Sequence, residues 1–286
     1  MARIADLLRA GRTFSFEFFP PKTDAAKETL EQTISELAPL APSFVSITYG
    51  AGGATRTLTH DLVAKLRRES TITPMAHLTC VGHLRSEIND ILAQYESVGV
   101  ENILALAGDP PADLNDHRPS DYTYATELVE QIRARNSFSI GVAAHPECHP
   151  RSASRTDDRK HLAEKLNHAD FAITQFFFEA RHYIAMVEEL SALGVNKPVI
   201  PGIMPVTNRA QAKRMAELSG AAFPKWLEDR LATSEDPEVV RKIGVDAATE
   251  LCAELLANGV PGLHFYTMNR STATCEVYTN LGLSLS

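Results

Sequence analysis

A repeated alternation of short apolar segments with longer segments of helical periodicity is the feature that most constrains this fold. The apolar segments are too short for buried helices and are rich in β-branched and aromatic residues, so they predict strands. Eight such strands are predicted: the run from Phe14, then Phe44–Tyr49, Met75–Thr79, Asn102–Leu106, Ser139–Ala144, Phe171–Phe177, Val199–Met204 and Gly262–Thr267. Helical periodicity marks the segments Ala25–Leu37, Thr57–Arg68, Leu84–Ser97, Tyr122–Arg135, Asp158–Asn167, Ala180–Leu193, Gln211–Leu218 and Val239–Ala257.

Eight strand–helix units in succession predict an α/β fold. Short strands joined through helices form parallel βαβ units, and eight of them in 286 residues fit a closed (β/α)8 TIM barrel. We predict one catalytic domain over residues 1–286, with an extra C-terminal helix, Ser271–Leu281. An open doubly wound sheet is the alternative. No GxGxxG follows the first strand and no P-loop is present, so the phosphate-binding signature of such sheets is missing.

Charge and cysteine usage exclude several classes of protein. The formal net charge is −8 and no basic run offsets it, which argues against nucleic-acid binding and favours a small-molecule partner. The four cysteines form no CxxC pair, so neither a disulfide framework nor a zinc site is indicated. No apolar run of about 18 residues occurs. We therefore expect a cytoplasmic protein that does not enter a membrane.

The segment from Phe14 to Pro21 contains one carboxylate, Glu17, among four phenylalanines and before two prolines. A proline pair ends a strand, so Glu17 should lie near the carboxyl end of the first one. Burial among apolar rings raises the pKa of a carboxyl and suits it to donate a proton. We predict that Glu17 is a general acid. The alternative is a structural ion pair with a lysine or arginine.

The active site of a TIM barrel lies at the carboxyl ends of its strands. Polar residues at the predicted strand ends should therefore converge on one mouth. They are Glu17, Thr48 with Tyr49, His77 with Thr79, Asp109, His145 with Glu147, Gln175, and Tyr266 with Asn269 and Arg270.

Two carboxylates at this end of the barrel suggest two different roles, one protonated and one ionised. Glu17 would carry the proton, and Asp109, after a glycine and before two prolines, would stay ionised and face a cationic intermediate. Gln175 offers both a donor and an acceptor, which suits a heterocycle with amide character. Taken singly, Asp109 could only cap a loop and Gln175 could only satisfy backbone groups.

Two other segments have weaker functional interpretations. His145 and His149 are four residues apart, but Pro146 and Pro150 oppose the helix on which such a pair would share a face, so we predict no metal site. The glycines of the segment 49–53 could bind a phosphate through backbone amides, or form only a turn.

Several motifs, in order along nearly the whole chain, resemble those of bacterial methylenetetrahydrofolate reductases. They are Phe16-Glu-Phe-Phe-Pro-Pro21, Ser46-Ile-Thr-Tyr-Gly50, Ala76-His-Leu-Thr-Cys80, Gly108-Asp-Pro-Pro111, Ile173-Thr-Gln-Phe-Phe-Phe178, Pro201-Gly-Ile-Met-Pro205 and His264-Phe-Tyr-Thr-Met-Asn-Arg270. The resemblance implies a TIM barrel that reduces methylenetetrahydrofolate to methyltetrahydrofolate with NADH or NADPH, a step of one-carbon metabolism and methionine biosynthesis.

The resemblance also implies roles for individual residues. Glu17 would protonate the bridging nitrogen of the folate, so that its ring opens to an iminium cation that accepts hydride. Asp109 would hold the pterin and support the positive charge. Gln175 would contact folate and nicotinamide. Tyr266, Arg270 and Thr48 would also bind substrate, and the family's flavin site would correspond to Thr48, His77, His145, His149 and Gln175.

The sequence departs from the family where most members hold FAD. Ala107 stands where they have an arginine, His145 stands where they have a tyrosine, and in the stretch 157–167 only Asp157 and Lys165 resemble cofactor-holding residues. We therefore predict direct hydride transfer from NAD(P)H without bound FAD. Three alternatives remain: an FAD-dependent ping-pong reductase, a folate- or pterin-binding transferase without redox chemistry, and a noncatalytic folate-binding paralogue.

Overall fold

The computed structural model describes residues 2–50, 56–109 and 119–283. Within these ranges, eight parallel strands close into a barrel in chain order, β1 to β8, with β8 paired to β1. The predicted TIM barrel is therefore confirmed. The strands are β1 Thr13–Phe18, β2 Phe44–Ile47, β3 Pro74–Thr79, β4 Asn102–Leu106, β5 Ser139–Ala144, β6 Phe171–Phe176, β7 Val199–Ile203 and β8 Gly262–Tyr266.

Helices surround the barrel and follow it at the C-terminal end. The helices of the described chain are α1 Ile4–Ala10, α2 Asp24–Leu37, α3 Arg56–Glu69, α4 Arg85–Ser97, α5 Ala125–Arg133, α6 Arg155–His168, α7 Ala180–Ala192, α8 Arg209–Ser219, α9 Lys225–Leu231, α10 Pro237–Ala257 and α11 Thr272–Asn280. A single 3-10 turn, Ala38–Leu40, extends α2. The helix α11 is the predicted C-terminal helix, whereas α1 and α9 are too short to show a periodicity in the sequence.

Capping explains where two helices begin relative to the prediction. Helix α6 starts before Asp158 because the Ser154 side chain accepts a hydrogen bond from the Asp157 backbone N–H. Helix α5 starts after Tyr122 because the Glu127 carboxylate accepts the backbone N–H groups of Thr123 and Tyr124. Both helix starts border the cavity described below.

Strand alternation gives the barrel interior two layers. Near the amino ends of the strands the interior is apolar, and the short helix α1 covers this layer with Ile4. The apolar layer consists of Ile4, Phe44, Met75, Leu104, Phe171, Ile173 and Ile200. Two residues further along β2, β3 and β6, beyond Phe44, Met75 and Ile173, the same faces carry the polar side chains of Ser46, His77 and Gln175. The polar layer therefore lies toward the carboxyl ends of the strands, where a TIM barrel keeps its active site.

The phenylalanines of β1 lie on the outer face of the barrel. Phe14 and Phe16 pack against Tyr278 of α11, with ring centroids 5.9 and 5.6 Å apart. Successive side chains of a strand alternate between its faces, so Glu17 lies on the face opposite these rings.

No helix of the described ranges is long and apolar enough to cross a membrane. One sequence prediction lies partly outside the described residues, namely the phosphate-binding segment 49–53, of which only residues 49 and 50 are described.

Candidate active site

Glu17 lies in the polar layer of the barrel, and three side chains converge on one of its carboxylate oxygens. Oε2 lies 3.3 Å from Ser46 Oγ, 3.5 Å from His264 Nε2 and 3.4 Å from His77 Nε2. Glu17 is 9% exposed, and His264 is fully buried. We call these four residues the Glu17 cluster. The second oxygen, Oε1, has no hydrogen-bond partner among the described residues, so it is the oxygen left for a ligand.

The environment of Glu17 corrects the prediction that its pKa is raised. Burial raises the pKa, but the hydrogen bond with His264 and the charges of His77 and His264 outweigh it, and the pKa lies below its ordinary value. The prediction was wrong because strand alternation places the phenylalanine rings on the other face. Within residues 2–50, 56–109 and 119–283, the bases beside Glu17 are histidines rather than the lysine or arginine of the alternative.

His264 connects Glu17 to the backbone of its own strand through Ser15. Nδ1 lies 2.8 Å from Ser15 Oγ, and Ser15 Oγ donates to the Leu263 carbonyl at 3.4 Å. His264 therefore links the Glu17 carboxylate to both β1 and β8.

His77 is buried and its Nε2 has no hydrogen-bond partner among the described residues. Burial lowers its pKa to about 4, although the charge of Glu17 opposes this shift. The ring is therefore neutral at pH 7. An unsatisfied buried nitrogen beside the predicted acid indicates that a ligand or water contacts this place.

Gln175 lies on an irregularity in the sheet. The register between β6 and β7 shifts between Ile173 and Phe176, as in a β-bulge, a feature common beside active sites. Gln175 Oε1 accepts the Phe176 backbone N–H at 3.0 Å, while its amide N–H groups have no partner among the described residues. Gln175 therefore offers a ligand donors rather than an acceptor.

Tyr266 crosses the barrel end from β8 to β6. Its hydroxyl donates to the Thr174 carbonyl at 2.6 Å, so its ring rather than its hydroxyl is left for a ligand. Burial raises its pKa well above the ordinary value, and the charge of Glu17 adds to the shift. The ring passes over Gly202, where an added Cβ would lie 2.6 Å from the ring and 2.3 Å from the Thr174 oxygen. Glycine is required at this position.

The turn after β8 is fastened to the turn after β1. Asn269 accepts the backbone N–H of Phe19 at 2.9 Å and donates to its carbonyl at 3.0 Å. Thr267 Oγ1 donates to the Glu17 carbonyl at 2.6 Å. Met268 and Asn269 both have φ near 54°, which is unusual for residues other than glycine and is held here by these bonds. The exposed Arg270 follows directly in the chain.

The strand ends of β2 and β4 carry Thr48 and Asp109. Thr48 is half-buried, and its carbonyl accepts the Thr59 hydroxyl. Asp109 is exposed and close enough for its charge to act on His149. It follows Gly108, whose φ of 85° favours glycine.

A cavity of about 870 Å³ lies at the carboxyl ends of β3, β4 and β5, between α5 and α6. Its walls include Ala107, Tyr122, His145, His149 and Lys165. The volume is in the range of sites for drug-sized ligands and cofactors. His77 belongs to the Glu17 cluster and does not line this cavity, so the structure divides the predicted cofactor residues between two places.

Two neutral imidazoles form one wall of the cavity. The rings of His145 and His149 meet edge to face with centroids 4.5 Å apart. Burial lowers the pKa of His145 to about 3 and also lowers that of His149. The Arg151 backbone N–H donates to His149 Nδ1 at 3.0 Å, so the ring proton of His149 is on Nε2. Among the described residues no group of three potential ligands could hold a metal ion.

Two acidic residues that line this cavity, Asp157 and Asp158, are already engaged by other side chains. Ala107 offers only a methyl group. The carboxylate of Asp157 accepts the Ser154 hydroxyl, and that of Asp158 is paired with Arg159. Lys165 is the exception, because Nζ donates to the Ala143 carbonyl at 2.7 Å and keeps two further N–H groups. Burial lowers its pKa to about 8.

His264, Ser46 and Ser15 were missed as site residues in the sequence. His264 and Tyr266 are two residues apart in one strand, so both side chains point into the barrel. For the same reason Ser15 points inward like Glu17, and Ser46 points inward like Phe44. The two-residue alternation of side chains along each strand was the feature of the sequence that could have identified these three residues. Arg159 was also missed, because a charged residue on a helix normally faces water.

Comparison with known proteins gives a family match over most of the chain. The family model described as methylenetetrahydrofolate reductase matches residues 3–282. A 5,10-methylenetetrahydrofolate reductase of Escherichia coli strain K12 is 35% identical over 271 residues, covering 94% of this chain and 90% of that protein. A relative from Arabidopsis thaliana, methylenetetrahydrofolate reductase (NADH) 1, is also 35% identical and covers 98% of this chain, which spans 50% of its length.

A solved structure is similar in fold at low sequence identity. It is an uncharacterized Clostridium thermocellum protein that binds two copies of 5-methyl-5,6,7,8-tetrahydrofolic acid. The TM-score is 0.69 at 17% identity, with 98% of this chain and 97% of that chain covered. At this identity the likeness concerns the fold alone.

Proposed function

This chain belongs to the methylenetetrahydrofolate reductase family and is an oxidoreductase, and from that premise we propose that it passes hydride directly from a reduced nicotinamide to the folate, with Glu17 as general acid. NADH is the proposed donor, because relatives from Arabidopsis thaliana and Zea mays carry NADH in their names. The folate would bind at the mouth of the barrel, and the donor would occupy the cavity between α5 and α6.

The main observation in support of Glu17 as the acid is that the protein contacts one oxygen of its carboxylate and leaves the other for a ligand. Oε2 lies within 3.5 Å of polar atoms of Ser46, His264 and His77, whereas Oε1 has no partner among the described residues. The pKa of Glu17 is lowered in the structure, so the acid role requires that the carboxyl be protonated in the complex with folate. Protonation of the bridging folate nitrogen through Oε1 would open the ring to the iminium cation that accepts hydride.

The remaining site residues have proposed roles in binding. Asp109 would stay ionised and support the cationic iminium. Gln175 would donate its free amide N–H groups to an acceptor of the pterin or of the nicotinamide carboxamide. Thr48 and the ring of Tyr266 would contact the pterin region, and the exposed Arg270 would meet the anionic end of the folate.

Direct transfer without flavin is supported by the charges of the cavity. The side chain of Ala107 provides no hydrogen-bond donor, and the carboxylate of Asp158 is paired with Arg159. The neutral rings of His145 and His149 can pack against the ring systems of a dinucleotide. The same cavity residues would suffice for a nicotinamide dinucleotide, because a ligand that binds, reacts and leaves requires weaker binding than a resident cofactor.

A flavin-dependent version of the reaction is the second candidate. The unused N–H groups of Lys165 favour it, since a half-buried ammonium with one partner can bind a phosphate. A folate-binding transferase without redox chemistry would need no donor cavity. A noncatalytic folate-binding protein would not need the proton at Glu17.

The test is the visible spectrum of the purified protein, followed by NADH oxidation with and without methylenetetrahydrofolate and with and without added FAD. We expect a colourless protein whose NADH oxidation requires the folate and does not respond to FAD. A stoichiometric flavin band would contradict direct transfer but leave the reductase assignment. Failure to oxidise NADH or NADPH in every condition would contradict the reductase assignment for this chain.

A further inference from the structure

Arg159, on the first turns of α6, has every hydrogen-bond donor of its guanidinium engaged. The residue is 3% exposed. Nη1 donates to the His145 carbonyl at 3.0 Å and to the Asp158 carboxylate at 2.5 Å. Nη2 donates to the carbonyls of Pro146 at 2.5 Å and Glu147 at 3.3 Å, and Nε donates to the Glu189 carboxylate at 2.7 Å. These five bonds use all five N–H groups of an arginine.

Three of the five acceptors are consecutive backbone carbonyls at the carboxyl end of β5. The chain therefore curves around one guanidinium directly where a TIM barrel presents its active-site residues. Two carboxylates, one from α6 and one from α7, keep the charge of the guanidinium balanced in a buried place. The loop cannot shift without breaking several of these bonds.

The same loop carries the imidazole wall of the cavity. Beyond Glu147 it is held again, because the Ser152 backbone N–H donates to the His149 carbonyl at 2.9 Å. Ser152 Oγ also donates to Asp158 at 3.3 Å, which links this second attachment to the carboxylate that pairs with Arg159. The positions of both imidazoles thus depend on the guanidinium, although Arg159 does not line the cavity.

We propose that Arg159 is a positioning residue for the hydride donor: it fixes the loop 145–149 so that His145 and His149 form the cavity wall against which the nicotinamide dinucleotide binds. This inference rests on the proposed function, in which that cavity receives the donor. It adds a residue outside the cavity that acts only through the loop.

The planar guanidinium of an arginine, with N–H donors on three nitrogen atoms, is needed for this role. A lysine presents three donors from a single atom and cannot serve five acceptors spread over a loop and two helices. A methionine fills a similar space and donates nothing. Arg159→Lys should therefore retain part of the effect, and Arg159→Met should lose it.

The test measures steady-state kinetics of folate-dependent NADH oxidation for wild type, Arg159→Lys and Arg159→Met, with NADH binding alone by isothermal titration. We expect the KM and Kd for NADH to rise about tenfold or more in Arg159→Met and less in Arg159→Lys, the change expected when one or two contacts are lost. The folate KM and the kcat at saturating NADH should stay within about twofold, because β1 and the Glu17 cluster are separate from this loop.

The matched control is Arg155→Met. Arg155 pairs with the same Glu189 carboxylate at 2.9 Å, but it lies at the surface and makes none of the three carbonyl bonds. Its NADH parameters should equal those of wild type. If Arg159→Met does not fold, Glu189→Gln provides the measurement, since among the bonds of Arg159 it weakens only the one from Nε and should raise the NADH KM by a smaller factor. It also weakens the pair with Arg155, and Arg155→Met controls for that loss.

A purely structural role would give a different result. It would lower the melting temperature and the folded fraction, and so the apparent kcat, with an unchanged NADH KM in the folded molecules. That outcome would overturn the inference. A wild type that neither binds nor oxidises NADH would instead contradict the proposed function, so the two failures can be distinguished.

Discussion

Nε2 of His264 lies 3.5 Å from the carboxylate of Glu17, and this contact joins the last strand of the barrel to the first. In the register of β1 and β8, Ser15 is the partner of His264 and Glu17 is the partner of Tyr266. Barrel closure therefore brings together the side chains of residues 247 positions apart. The predictions below test the chemistry and the packing that this closure creates.

Replacing Glu17 with glutamine should abolish most turnover while the fold is retained. Glutamine keeps the size of the side chain and can accept from Ser46, but it has no proton to transfer. We expect kcat to fall roughly 10²- to 10⁴-fold, the usual contribution of a general acid. The measurement is folate-dependent NADH oxidation, with folate binding and a thermal melt as controls. Turnover within a fewfold of wild type would refute the acid role.

Removing the imidazole of His264 should shift the pH profile of kcat. In wild type His264 lowers the pKa of Glu17 against the effect of burial. In His264→Leu burial is less opposed, so the pKa of Glu17 rises and the basic limb of the kcat profile moves to higher pH. Ser15→Ala is the matched control, because it removes only the Nδ1 partner of the ring. An unchanged basic limb in His264→Leu would show that the ring does not tune the acid.

The buried His77 should make folding stability depend on pH between about 4 and 6.5. Its pKa falls from 6.5 in the unfolded chain to about 4 in the folded one, so the unfolded chain binds more protons in this window and stability is lost as pH falls through it. A shift of this size corresponds to about 3 kcal/mol. Chemical denaturation from pH 7 to 4 should show a shallower decline for His77→Gln. The exposed His161→Gln provides the comparison, and an equal decline in both variants would contradict the prediction.

Gly202→Ala should destabilise the barrel and displace the Tyr266 ring. An added Cβ at residue 202 has no room, because it meets a carbonyl of the neighbouring strand and the ring. We expect a loss of about 1–3 kcal/mol in the free energy of unfolding, typical of overpacking, together with a raised folate KM. Gly11→Ala should be close to neutral, since an added Cβ there meets nothing within 4 Å. Wild-type stability of Gly202→Ala would show that the strands can separate at low cost.

Asp109→Asn should weaken both folate binding and turnover, because a carboxylate facing a cationic species acts in the ground state and in the transition state. A roughly tenfold change in each is expected from the loss of one charged interaction. Folate affinity is measured by titration of the protein in the absence of NADH. Asp121→Asn, another acidic residue at the same end of the barrel, is the comparison. An unchanged folate affinity would remove Asp109 from the site.

The amino-acid sequence alone determined the barrel and the end at which the site lies. Eight alternations of strand and helix admit few topologies, and the carboxyl ends of parallel strands must share one mouth. Glu17, Gln175 and Asp109 could therefore be grouped from their places at strand ends. Local periodicity is enough for these conclusions, since each depends only on neighbouring residues.

The tertiary structure decided the neighbours of each functional group, and with them its proton affinity. The phenylalanines adjacent to Glu17 in sequence lie on the opposite face of β1, while His264, distant in sequence, contacts its carboxylate. Similarly, the sequence predicts that Arg159 is a surface residue of α6, and only the tertiary structure shows that the loop 145–149 surrounds it. A pKa and a loop position depend on burial and on through-space contacts, and these exist only once the barrel has closed.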